Sequence, residues 1–207
     1  MKGFNAEDIT KERSLWDIYV QVRRLGSSWF NRLSTGAVFV LLVLYLIYAG
    51  ESAHTVAEKV RSFSEFGLNF VAAILGFLLA GFTIFFTVSK MDLFMLMAKI
   101  EHRPTKITWL KYSFFTFMDV FIVYISFLSL CVLIKLFASS NGFLTVILKH
   151  IGSPEITKKI IASIGLIVIG TWLFYLVISL KSFIFNIYHI AMTAIRWEVE
   201  KKDGEAK

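Results

Sequence analysis

Asp119 is the one acidic residue that lies deep inside an apolar run of this 207-residue chain. Placing a carboxylate at mid-bilayer costs about 2.5–3.5 kcal/mol on insertion scales, so such a residue usually has a task. Three tasks are open to it. It can be protonated and hydrogen-bonded as a structural group, it can pair with Lys181, or it can line an aqueous cavity and titrate during gating or transport. Thr116 and Ser126 share its side of the helix.

Other chemistry is scarce. The histidines stand at 54, 102, 150 and 189, and no two have the i, i+4 spacing of a helical metal site. There is no glycine-rich phosphate loop and no nucleophile elbow. A single cysteine, Cys131, excludes a disulfide framework and a cysteine-based zinc site, and reads as a small apolar filler. The expectation is no catalytic residue, no metal and no cofactor. Alternating-access transport is disfavoured as well, because the chain lacks two related halves.

Polar and small residues do form stripes. At 100° per residue, Asn69, Ala72, Gly76, Ala80, Thr83 and Thr87 fall within roughly 80° of one another. Small residues let a second helix approach closely, so Ala72, Gly76, Ala80, Thr83 and Thr87 read as an oligomer-packing face; a pore lining is the alternative. A second stripe comprises Thr171, Tyr175, Ser179, Ser182, Asn186, His189 and Thr193. Lipid would not tolerate it near the midplane, so protein or water must cover it. With Asp119, the residues Thr171, Ser179, Ser182, Asn186 and His189 are the candidates for an intramembrane polar or pore-lining site.

The elements that carry these stripes follow from composition. The chain is 57% hydrophobic, with 21 Phe and 2 Pro, and its mean hydropathy is +0.68. A soluble domain is about 45–50% apolar, so this is an integral membrane protein. Four stretches, 33–50, 66–89, 112–137 and 160–185, approach the ~20 residues that cross ~30 Å of hydrocarbon. Lipid demands internal hydrogen bonding, so they are helices and the fold is all-α.

The formal charge of +7 is distributed unevenly. Lys2, Lys11, Arg13, Arg23, Arg24 and Arg32 precede the first span. Lys90, Lys99, Arg103, Lys106 and Lys111 lie between the second and third, and Arg196, Lys201, Lys202 and Lys207 follow the fourth. The opposite side holds Lys59, Arg61, Lys149, Lys158 and Lys159. Both termini are therefore expected in the cytoplasm. Trp29, Trp109, Tyr112, Tyr188 and Trp197 form an interfacial aromatic belt on that side.

Three segments lie outside the four-helix domain of 33–185 or between its spans. Residues 1–32 contain an amphipathic helix over 7–31, with Leu15, Ile18, Tyr19, Val22 and Leu25 on one stripe and Arg23 and Arg24 off it. It is either a membrane-surface sensor or partner-docking helix, or a plain interfacial anchor. The segment 90–111 continues helix through Met91, Phe94, Met95 and Ala98 until Pro104 stops it. Residues 186–207 extend the fourth helix through Trp197, and the last seven residues should fray. His54 and His150 lie in the two short outer loops and are expected to be solvated. No secretory or lipidation signal is read. Arg23, Arg24, Lys99, Arg103 and Arg196 are the candidate partner-docking residues.

The stretch Phe70-Val-Ala-Ala-Ile-Leu-Gly-Phe-Leu-Leu-Ala-Gly-Phe-Thr-Ile-Phe-Phe-Thr-Val-Ser-Lys90, four spans and two cytoplasmic ends resemble the membrane subunit of the Kiwa anti-phage defence system of bacteria. The resemblance implies a homo-oligomer, as a tetramer, in the inner membrane that senses phage attack. It also implies a soluble cytoplasmic partner in which DNA binding resides, so no nucleic acid is expected on this chain. The expected function is a non-enzymatic sensor or scaffold; the alternative is a pore-forming channel or depolarising effector.

Overall fold

The computed structural model describes residues 11–25, 29–88, 91–102, 105–139, 142–150 and 155–205. In chain order it has α1 (Leu15–Leu25), α2 (Trp29–Tyr48), α3 (Ala53–Val88), α4 (Met91–Lys99), β1 (Glu101–His102), β2 (Ile107–Thr108), α5 (Trp109–Phe137), α6 (Phe143–His150) and α7 (Glu155–Glu205). The fold is all-α, with one two-residue antiparallel hairpin that the sequence reading did not anticipate. α2, α3, α5 and α7 are long and apolar enough to cross a membrane.

Two helices run further than hydropathy alone suggested. α3 begins at Ala53 instead of 66, because Ser52 caps it: the Ser52 hydroxyl accepts the Thr55 amide at 3.2 Å. Glu58, Lys59, Arg61 and Glu65 dilute the hydropathy there, yet a buried stripe of Ala53, Val56, Val60 and Ser64 continues through Gly67, Val71, Leu78 and Phe85. α7 is a single helix of 51 residues, about 76 Å at 1.5 Å per residue. It includes residues 201–205, which were expected to fray. The loop before α7 also carries the short helix α6.

The chain divides into two compact units. The second unit comprises Ser28–Leu75 and Val123–Ser179. Its packing is close because glycines and hydroxyls face large side chains. A Cβ on Gly67 would lie 2.7 Å from Phe127 Cε1 and 3.1 Å from Cys131 Sγ. One on Gly170 would lie 2.8 Å from Leu42 Cδ1. Ser64 donates to the Cys131 carbonyl at 3.0 Å. The Tyr124 and Ser179 hydroxyls both donate to the Leu176 carbonyl, each at 2.8 Å.

The first unit comprises Met1–Ser27, Gly76–Ile122 and Leu180–Lys207. Phenylalanine fills it. Phe82 packs edge-on against Phe86 at 4.9 Å and against Phe117 at 5.7 Å. Phe85 meets Phe117 at 5.2 Å, and Phe117 meets Phe183 at 5.4 Å. Such edge-to-face pairs add about 0.5–1.5 kcal/mol each beyond burial. Beside them, His102 stacks on Tyr112 at 4.1 Å, meets Trp109 edge-on at 4.5 Å and bonds Thr105 Oγ1 through Nδ1 at 2.7 Å. Trp109 and Tyr112, expected in the aromatic belt, thus frame the hairpin. The hairpin turns through Lys106 at φ 57°.

A polar clasp closes the turn between α2 and α3. Tyr45 donates to Glu51 Oε1 at 2.7 Å. Lys59 Nζ donates to both groups. The Lys59 hydrogen bond, then the Tyr45 one, hold the Glu51 carboxyl below its ordinary value of 4.5. A carboxyl depressed on folding contributes stability that is present above its unfolded pKa and lost as pH falls through the folded one. The melting temperature of detergent-solubilised protein should therefore drop as the buffer is taken below about pH 4, and Glu51→Gln should flatten that dependence. Gly67→Val should cost about 1–3 kcal/mol by overpacking against Phe127, read as a lower melting temperature at neutral pH.

Candidate functional site

The N-terminal segment is fastened to the bundle by an ion pair. Lys111 Nζ donates to both carboxylate oxygens of Glu12 at 2.7 Å. Only 15% and 14% of the two side chains are exposed. The Lys111 ammonium also lies 5.8 Å from the Phe115 ring centre. α1 starts three residues after Glu12 because Ser14 and Asp17 form a reciprocal cap. The Asp17 amide donates to Ser14 Oγ at 3.1 Å, and the Ser14 amide donates to Asp17 Oδ2 at 3.0 Å. The Arg13 amide, then the Ser14 hydroxyl, pull the Asp17 carboxyl below its usual range.

α1 is shorter than the expected 7–31, of which 7–10 and 26–28 lie outside the described residues. Its apolar stripe turns into the protein at Val22, which is buried, with Ile18 and Tyr19 half-buried. Leu15 of that stripe is exposed, as are Trp16 and Val20, and Arg23 lies over the Tyr19 ring at 5.7 Å.

The α3 stripe faces outward along its whole length. Asn69, Ala72, Gly76, Ala80, Thr83 and Thr87 are all exposed. A Cβ on Gly76 would meet nothing within 4 Å. The hydroxyls are not free to bond across a seam, because Thr83 donates to the Leu79 carbonyl at 2.9 Å and Thr87 to the Thr83 carbonyl at 2.8 Å. Smallness is what this face offers to a neighbour.

The α7 stripe divides. Ser179 is buried, Thr171, Tyr175, Ser182 and Asn186 are half-buried, and His189 and Thr193 are exposed. Thr193 donates to the His189 carbonyl at 2.8 Å, and the His189 ring stacks on Phe185 at 6.3 Å. In the second unit a groove of about 430 Å³ opens between Thr35, Phe39, Val123, Ile167, Val168, Thr171, Trp172 and Tyr175. The Thr35 and Thr171 hydroxyl oxygens are shut from solvent without a hydrogen-bond partner, so the groove itself is nearly all apolar. Asp119 is half-buried on α5. Among the described residues it forms no salt bridge to Lys181.

Of the docking candidates, Arg23 and Lys99 are exposed, and Arg196 is exposed but tied to Glu200 at 2.7 Å. The Arg24 side chain and Arg103 lie outside the described residues. Pro104, expected to end the helix of this segment, also lies outside them, and α4 ends at Lys99. Among the described residues no three His, Cys, Asp or Glu side chains converge as a metal site. His54 is exposed beside Glu58 at 3.7 Å, and His150 is exposed. No family model, no curated protein and no solved structure matches this chain.

Sequence reading missed the Glu12–Lys111 pair, since 99 residues separate the partners and neither has a distinctive neighbourhood. The Ser14-x-x-Asp17 cap was legible and would have placed the start of α1. Removing one partner of a buried pair strands the other charge, at about 3–5 kcal/mol when burial is complete. Lys111→Met should therefore speed amide exchange across residues 18–25 in detergent, and Glu12→Gln added to it should restore part of the protection. Unchanged exchange in α1 would show that the pair holds nothing.

Proposed function

We propose that this chain is a non-enzymatic scaffold and sensor of the bacterial inner membrane. It assembles from several copies, keeps both termini in the cytoplasm and signals to a soluble partner there. The bias of Lys and Arg toward the termini and the 90–111 segment supports that orientation. The likeness to the Kiwa membrane subunit supports a place in anti-phage defence.

The observation that carries the reading is the outward α3 face. A run of small residues gives close helix packing only when a second backbone lies against it. Here Gly76 and its neighbours have open space in their own chain. A second copy in the same bilayer brings a matching face. Exposed Arg23, Lys99 and Arg196 then line the side from which a soluble partner would approach.

Gly76→Leu with Ala80→Leu tests it. The pair should reduce the mass of the detergent-solubilised particle toward a single protomer while leaving its melting temperature within a few degrees, because neither site touches the protomer core. A wild-type particle that is already one protomer overturns the assembly. Purified protein that conducts ions in planar bilayers, with a current altered by Asp119→Asn and Ser182→Leu, replaces the scaffold with a pore.

A further inference from the structure

α7 carries a second face, on its polar stripe's flank, that the sequence reading did not use. Phe185, Tyr188, Met192, Ile195 and Val199 follow one another at alternating steps of three and four. That is the 3.5-residue repeat of a coiled-coil seam. All five are exposed, from 46% at Met192 to 64% at Phe185. Phe183, which is buried at 1% and packs on Phe117, points roughly 160° away round the helix. The seam therefore looks away from the packed side of its own chain.

We propose that this seam pairs, parallel and in register, with the same seam of a second copy. The inference rests on the assembled state proposed above and adds where the copies meet beyond the bilayer. A helix entering at Ile160 rises about 38 Å by Phe185, enough to cross ~30 Å of hydrocarbon even when tilted, and continues roughly 30 Å further to Glu205. Apolar residues there meet water unless another surface covers them. The bilayer cannot be that surface for Met192, Ile195 and Val199, because α7 is one uninterrupted helix and cannot fold back onto the membrane it has left. A second copy inserted with the same topology presents the same five residues at the same height and in the same direction. Two heptads are short for a free coiled coil, but anchoring in one bilayer makes the pairing intramolecular in effect. The flanks are compatible: in register, Arg196 lies opposite Ala191 of the neighbouring copy, and its own charge is met by Glu200 within the helix.

Single cysteines test the contact in the full chain, reconstituted in liposomes, with Cys131→Ala removing the native thiol. Met192→Cys and Ile195→Cys should oxidise to linked dimers at least about tenfold faster than Ile190→Cys and Thr193→Cys, since a disulfide needs Cβ atoms within about 4.5 Å. Equal rates at the four positions, or faster linkage off the seam, overturn the proposal. Linkage through Gly76→Cys without linkage through the seam overturns the seam alone and leaves the assembled state standing. A particle of single-protomer mass overturns both.

Discussion

A hydroxyl carried into hydrocarbon is costly when it lacks a partner, and in this chain several are bonded to their own helix. Ser113, Thr116 and Ser129 on α5 and Thr83 and Thr87 on α3 each donate to the carbonyl four residues back. Water cannot serve these groups in lipid, and an unbonded one costs several kcal/mol. The consequence reaches past bookkeeping of single bonds. Once a hydroxyl is satisfied locally, a polar stripe loses its claim on water and becomes a narrow, smooth helix face. That is why α3 offers its neighbour small size instead of hydrogen bonds. Ser64 and Tyr124 depart from the pattern by bonding between helices, to α5 and α7, and Thr35 and Thr171 depart from it by having no partner.

The same three helices, α3, α5 and α7, build both compact units, but the fillings differ. In the second unit, glycine and serine bring backbones close, and large side chains such as Phe127 and Leu42 fill the space that Gly67 and Gly170 leave. In the first, rings of Phe82, Phe85, Phe86, Phe114 and Phe117 fill wider spaces edge to face. Phe has only two side-chain torsions, so it fills volume at low entropic cost. The count of 21 Phe in the sequence is thus partly explained by this cluster.

Spans were legible because hydropathy integrates over twenty residues and needs no partner. Helix ends were not, where they depend on caps and on charge at the surface: α3 begins at Ser52–Ala53 although Glu58, Lys59 and Arg61 pull its mean hydropathy down. The hairpin of 101–108 was missed because two-residue strands leave no periodic trace, and its stability comes from rings around His102. Periodicity places residues on a stripe but cannot say which face of a helix its neighbours take. Thr171, Ser179 and His189 share a stripe by angle, yet one is half-buried, one buried and one exposed. Ser179 is buried because it lies on the packed side of α7 with Leu176 and Phe183, whereas among the described residues none after Phe183 is buried.

Charge on the N-terminal segment shows how such hidden pairings alter a surface. From composition, residues 11–25 carry Lys11, Arg13, Arg23 and Arg24 against Glu12 and Asp17, a modest excess. The fold encloses Glu12 with Lys111, while Asp17 stays exposed and accepts the amides that begin α1. What α1 shows to its surroundings is Leu15, Trp16, Asp17, Val20 and Arg23, with Tyr19 beneath the guanidinium. Aromatic rings beside arginine suit the polar–apolar boundary of a membrane. Of the stripe that periodicity picked out, Val22 is buried and Ile18 and Tyr19 are half-buried, while Leu15 is left outside with Trp16, Val20 and Arg23.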